Sequence, residues 1–167
     1  MSEVPRVHVV ELREARAQDW DRIWPVFRET VAAVETYAFP EGLDSEAARP
    51  WWMQDHVVVA EEGGQLLGSA KCGPNRPGRG AHVATASFMV APAARGRGVG
   101  RLLGEHVLGW AREHGYRAMQ FNAVVETNTV AVALWQSLGF TVVGTVPQAF
   151  DSRAHGLVGL HVMHRVL

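Results

Sequence analysis

The run Phe88-Met89-Val90-Ala91-Pro92-Ala93-Ala94-Arg95-Gly96-Arg97-Gly98-Val99-Gly100-Arg101-Leu102-Leu103 restricts the fold more than any other stretch. It reads as the end of a strand, a short glycine- and arginine-rich loop, and the start of a helix. Pro92 ends the strand because it has no N–H for a ladder and its φ is fixed. The alternating glycines let the backbone turn tightly and come close to a ligand. Beyond the loop, Val99, Leu102, Leu103, Val107, Trp110 and Ala111 recur at helical spacing and define one apolar face. The first turn of a helix has N–H groups without intrahelical acceptors and carries roughly half a positive charge. Arg95, Gly96, Arg97, Gly98, Val99, Gly100 and Arg101 therefore form a candidate cradle for a phosphate.

Two familiar phosphate loops are excluded. No Gly-Lys-Ser/Thr follows, so this is not a Walker loop. The glycines are spaced G-x-G-x-G rather than G-x-G-x-x-G, and no acidic residue stands at the ribose-reading distance on a following strand.

Composition narrows the partners. With 167 residues, one domain spanning 1–167 is expected, long enough to bury a core. A net charge of −1 argues against nucleic acid, which calls for a basic footprint. Cys72 is the only cysteine, so no intrachain disulfide can form and a reducing compartment fits. The first residues lack an apolar core of signal-peptide length, and no apolar run reaches a membrane span. A cytoplasmic protein without membrane contact is expected.

Patterning sets out the elements. Val7 to Arg13 reads as a strand. Asp19 is placed to cap a helix carrying Trp20, Ile23, Trp24, Phe27, Val31 and Val34, with Pro25 expected to bend or split it. Tyr37 to Gly42 is a loop, and Asp44 or Ser45 caps a short helix ending near Trp51-Trp52, aromatics that suit either core packing or a substrate mouth. His56 to Glu62 and Gln65 to Lys71 flank Gly63-Gly64 as a hairpin with a primed turn. Gly73 to Gly80 is a loop. His82 to Val90 is an uncharged and therefore central strand. Gly98 to His114 is a helix stopped by Gly115. Ala118 to Asn122 is a strand. Thr127 or Asn128 caps a helix carrying Val130, Ala131, Leu134, Trp135 and Leu138, closed by Gly139. Thr141 to Pro147 and Leu157 to Arg165 are closing strands. The order β α α β β β α β α β β is an α/β arrangement.

Arg95-x-x-Gly98-x-Gly100, preceded by Val90-Ala91-Pro92, resembles the acetyl-CoA diphosphate loop of the GCN5-related N-acetyltransferases (GNAT). Asn128-x-x-Ala131-x-x-Leu134-Trp135-x-x-Leu138-Gly139-Phe140 resembles the family's N-x-x-A-x-x-L-Y-x-x-x-G-F helix. The resemblance covers roughly Val7 to Val146. It implies a single GNAT-like domain: a mixed, mostly antiparallel sheet of about seven strands, splayed at the cofactor slot, with about four helices. Ala81 to Val90, Phe121-Asn122-Ala123-Val124, Trp135 and Val143-Gly144-x-x-Pro147 further resemble the fungal acetyltransferases of azetidine-2-carboxylate and proline analogues. Asparagines matching Asn122 and Asn128 are implied there in substrate and cofactor handling, and a third is Thr85 in this chain.

The reaction implied is acetyl transfer from acetyl-CoA to an amine, without metal. The amides of Arg97 to Arg101 would take the diphosphate, with Phe88, Met89 and Val90 pairing with the pantetheine arm like an added strand. A β-bulge near Ser87-Phe88 is expected to splay the sheet. An N–H near Met89 or Val90 is the expected donor to the oxygen on which charge develops. An amine of pKa about 10.4 must lose a proton, costing about 4.6 kcal/mol at pH 7. Base candidates are His82, Glu126, Glu35 and Glu61, of which His82 has the suitable intrinsic pKa. Trp135 stands where the family often has tyrosine, and its indole cannot yield a proton, so direct attack without a dedicated acid is expected. Asn122 and Asn128 join His82 as catalytic candidates. Asn128 and Trp135 are also cofactor contacts, and Thr85, Asn122 and Tyr37 substrate contacts. Asn128 serves equally as a plain helix cap. A small amine, an amino acid or proline analogue among them, is the expected substrate. A CoA-binding sensor domain without turnover is the alternative. A protein-modifying enzyme would need an acidic groove that no acidic run provides. A homodimer through the final strands is compatible with the sequence without being legible in it.

Overall fold

The computed structural model describes residues 9–167. Seven strands form one sheet in the order β1-β2-β3-β4-β5-β7-β6. They are β1 (Glu11–Glu14), β2 (His56–Glu62), β3 (Gln65–Pro74), β4 (Val83–Val90), β5 (Ala118–Val125), β6 (Thr141–Ser152) and β7 (Gly156–Val166). Four helices cover it: α1 (Trp20–Ala32), α2 (Ser45–Trp52), α3 (Val99–Glu113) and α4 (Thr129–Ser137). All strand pairs are antiparallel except β4 with β5. This is the expected mixed sheet with four helices. Val7 and His8, assigned to the first strand, lie outside the described residues; β1 starts at Glu11.

The strand alternation sends side chains to two layers. On one face, Ala84, Phe88 and Val90 meet α3 and α4 through Leu103, Val107, Trp135 and Leu138. On the other, Met89, Val57 and Val59 meet α1 and α2 through Ile23, Phe27, Ala48 and Trp52. Trp52 is fully buried and donates to Ser69 Oγ at 3.0 Å, whereas Trp51 is exposed, so the pair divides between core and surface.

Several element ends follow their local signals. Asp44 accepts from Ala47 N–H at 2.8 Å and caps α2. Asn128 Oδ1 accepts from Ala131 N–H at 3.3 Å and caps α4. Gly63 and Gly64 have φ of 55° and 82°, the primed turn expected.

Asp19 departs from its expected role. It makes no side-chain cap for α1; its carboxylate is buried between Arg13 at 2.8 Å and Arg22 at 3.2 Å and accepts from Arg16 N–H. Two guanidinium groups outcompete the helix amides for it. Pro25 does not split α1, which runs unbroken across it. β6 and β7 extend past their expected ends, and β6 carries Pro147 beside a register irregularity between Val146 and Phe150, as an edge strand allows.

Candidate functional site

The parallel pairing of β4 and β5 lasts for two positions, Val83 with Ala118 and Ala84 with Met119. Arg117 N–H to His82 O at 2.9 Å closes the end of the pair. From Thr85 and Gln120 onward the strands diverge, while β5 keeps its partner β7 and β4 keeps β3. The expected bulge at Ser87-Phe88 is absent: β4 holds continuous register with β3 from Ala84 to Val90. The irregularity lies in β5 instead, between Phe121 and Val124. Aromatic rings wedge the strands apart on the α4 side. Trp135 stands 4.6 Å from Phe88 and 5.0 Å from Phe121, centroid to centroid.

The alternation of β4 decides which backbone groups face this gap. Val83 O accepts from Asn75 N–H, and Ala91 N–H donates to Leu67 O, both across to β3. Odd-numbered residues of β4 therefore pair with β3, and even-numbered ones present N–H and C=O to the gap. Met89 is thereby removed from the expected backbone contacts; its side chain is buried under α1. Val90 N–H and C=O face the gap. Those of Phe88 do too, and are met by Tyr37: the hydroxyl accepts from Phe88 N–H at 2.7 Å and donates to Phe88 O at 2.6 Å. Burial pushes the Tyr37 phenol up to about 12, against the opposing pull of that hydrogen bond with the Phe88 backbone.

At the mouth of the gap, a short turn over Pro92–Ala94 leads into the glycine loop. Gly96 and Gly98 take φ of 75° and 79°, a left-handed conformation that glycine alone adopts freely. The first backbone bond of α3 runs from Leu102 N–H to Gly98 O at 3.1 Å. Among the described residues no acceptor meets the amides of Gly98, Val99, Gly100 or Arg101. The Arg97 amide instead turns to Ala94 O at 3.4 Å. A Cβ on Gly100 would meet Leu134 at 3.3 Å and Val90 at 3.8 Å, which places the amide row where α3, α4 and β4 converge. The arginine side chains divide. Arg97 pairs with Glu62 at 2.8 Å, and Arg101 reaches Ser137 Oγ at 2.6 Å and Glu105 at 3.2 Å. Arg95 is exposed on the loop.

Other candidates scatter. Asn122 lies past the point of divergence and donates to Asn75 Oδ1 at 2.6 Å while accepting from Gln120 at 2.9 Å. Thr85 and Ser87 line a depression of ≈ 140 Å³ on the α2 side of β4, with Gln54, Asp55 and Lys71. Asp55 and Lys71 carried no sequence signal; they meet because the β3–β4 pairing sets Lys71 across from Ser87 and Asp55 lies over Gly73.

The base candidates do not converge on the gap. His82 is exposed at the closed end of β4, its ring nitrogen 3.1 Å from Arg79 O and ~20 Å of extended chain from Phe88. Glu126 accepts from Gly159 N–H at 2.5 Å. Glu35 accepts from Ser152 Oγ and Ala154 N–H, bonds that hold its carboxyl below the usual range. Glu61 is held low by Arg13.

An open row of amides at a helix start, feeding a gap between two diverging parallel strands, is an arrangement that suits a diphosphate with an extended arm. The acetyltransferase (GNAT) family model matches residues 15–140. The chain belongs to this family. A solved GCN5-related N-acetyltransferase from Kribbella flavida is 59% identical, covers 95% of this chain and 98% of its own, and superposes with a TM-score of 0.92. N-acetyltransferase aca1 of Schizosaccharomyces pombe is 37% identical over 90 residues, 54% of this chain and 43% of that protein. L-amino acid N-acyltransferase MnaT of Escherichia coli is 28% identical over 145 residues, 83% of this chain and 84% of its own. The chain spans less than half the length of the fungal relatives it matches, 43% of one and 13% of another. Acetyl-CoA is the cofactor of this family, and two further solved structures similar to this chain contain it. The residues here fit that group: amides without acceptors at Gly98–Arg101, open space around Gly96 and Gly98, and the free edge of β4 at Val90. Among the described residues no helix is long and apolar enough to cross a membrane, and no cluster suited to a metal ion is present.

Proposed function

We propose that the chain transfers an acetyl group from acetyl-CoA to the amine of a small molecule, an amino acid or proline-like imino acid, by direct attack. The observation that carries this is the row of acceptor-free amides at Gly98–Arg101 opening onto the β4–β5 gap. These amides would hold the diphosphate, with Arg95 beside them, and the free β4 edge at Val90 would pair with the arm, the Phe88 groups being met by Tyr37. When bound, acetyl-CoA supplies an acyl group already activated as a thioester.

Val90 N–H is the donor aimed into the gap, where a fixed dipole stabilises charge on an oxygen without reorganising. Tyr37 O–H stays protonated at neutral pH and steadies the Phe88 backbone beside it. Trp135 packs under Phe88 and keeps water from that side. Asn122, Thr85 and Ser87 face the α1–α2 side, from which the amine would enter. Asn128 caps α4, a structural role that leaves its amide nitrogen for the arm. With Glu35, Glu61 and Glu126 already engaged and His82 distant, the proton of the amine passes to solvent.

The MnaT relative supports an amino-acid substrate, and the aca1 relative supports the fungal likeness over its matched half. The engaged carboxylates favour a second reading, a CoA-binding domain without turnover. Thiol release from acetyl-CoA across a panel of amines including azetidine-2-carboxylate decides. Release together with the N-acetylated product is expected; acetyl-CoA binding without release by any amine selects the sensor.

A further inference from the structure

Among the described residues Lys71 is a cation without a salt bridge. It lies on β3 directly across from Ser87 of β4, on the sheet face that carries Thr85 and Ser87. Its stem crosses the aromatic wall, with Nζ 5.9 Å from the Phe39 ring centre and 5.8 Å from that of Trp52. Phe39 stacks on Tyr37 at 5.0 Å, and Tyr37 holds the backbone of Phe88, so contacts run unbroken from the ammonium to the gap. One of the three ammonium protons goes to Trp51 O, at 2.6 Å, in the last turn of α2. Among the described residues no carboxylate lies within ion-pair distance. Asp55, whose charge acts on Lys71, sits over Gly73, where a Cβ would stand 2.5 Å from its Cγ. Burial pulls the ammonium below its usual range, and Asp55 pulls the other way.

We propose that Lys71 receives the carboxylate of the acceptor, so that the site selects amines that also carry an acid. This rests on the transferase reading above. Two ammonium protons remain to donate, and the depression of ≈ 140 Å³ beside them is lined by Thr85, Ser87, Gln54 and Asp55. A charged hydrogen bond there is worth about 10- to 100-fold in affinity. Asp55 lines the same depression and repels a carboxylate there, so its removal should tighten acid binding.

The test compares L-methionine with L-methioninamide, and azetidine-2-carboxylate with its carboxamide, in the wild type, Lys71→Met, Lys71→Arg and Asp55→Asn. Lys71→Met keeps the apolar stem, and near-ultraviolet circular dichroism checks that it folds. The acid-to-amide ratio of kcat/KM should fall at least tenfold in Lys71→Met, through KM, with Lys71→Arg restoring part of it. Asp55→Asn should raise that ratio. Calorimetric binding of the N-acetylated acids and amides in the presence of CoA repeats the comparison without turnover. Lys71-dependent preference for the acid in binding, without thiol release, upholds this proposal and sinks the transferase reading alone. An unchanged ratio, a wild type that prefers the amides, or no binding of either product overturns it. A lysine that only closed α2 would lower the melting temperature and leave the ratio alone.

Discussion

The hydroxyl of Tyr37 brackets the backbone of Phe88, accepting from its N–H at 2.7 Å and donating to its carbonyl at 2.6 Å. A loop side chain thus supplies both hydrogen bonds that β5 withholds by diverging. An edge group left unpaired in a half-buried site costs about 1–3 kcal/mol. Tyr37→Phe should therefore lower stability by about 1–2 kcal/mol in urea unfolding and reduce kcat about tenfold, with KM for acetyl-CoA changed less than threefold. A wild-type kcat in this variant would remove Tyr37 from the reacting centre.

Gly98 opens α3 in the left-handed region, at φ 79°. An alanine there is strained by roughly 1–2 kcal/mol and turns the following amides. Gly98→Ala should weaken acetyl-CoA binding at least tenfold by calorimetry. Gly109→Ala, inside the same helix with open space at its Cβ, should instead gain about 0.5–1 kcal/mol and bind normally.

Among the loop arginines, Arg97 is already paired with Glu62 and Arg95 is not. Arg95→Ala should weaken CoA about fivefold at low salt, with the loss shrinking as ionic strength rises. Arg97→Ala should change affinity less than twofold. The reverse order would show that the Glu62 pair opens on binding.

Trp135 is buried between Phe88, Phe121 and Phe140 and donates no proton at neutral pH. If attack is direct, Trp135→Phe should cost kcat less than fivefold. A 10³-fold drop would assign the indole a chemical role. Trp135→Ala should destabilise by about 3–5 kcal/mol through the cavity it leaves.

The carboxyl of Asp19 is held well below the usual range, first by its hydrogen bonds with Arg13. A depressed folded-state value means stability that is complete above the unfolded value near 4 and is lost as pH falls below it. Asp19→Asn should cost about 2–4 kcal/mol at pH 7, measured by urea unfolding, and the deficit should shrink below pH 4. A deficit constant from pH 7 to pH 3 would show packing, not charge, to be at stake.

Short-range chemistry is enough to read the open helix start after the glycine loop, the caps at Asp44 and Asn128, the Gly63-Gly64 turn and the order of elements. Each depends on residues a few positions apart, where φ, missing N–H groups and helical spacing act directly. The family likeness came from the same local pattern. What lay beyond it were relationships between distant strands. Register alone turned Met89 away from the gap and put the irregularity in β5 rather than β4. Tyr37 and Lys71 reach the site across 51 and 16 residues of sequence to Phe88 and Ser87. Such meetings are set by which faces the core brings together, and no local propensity encodes them.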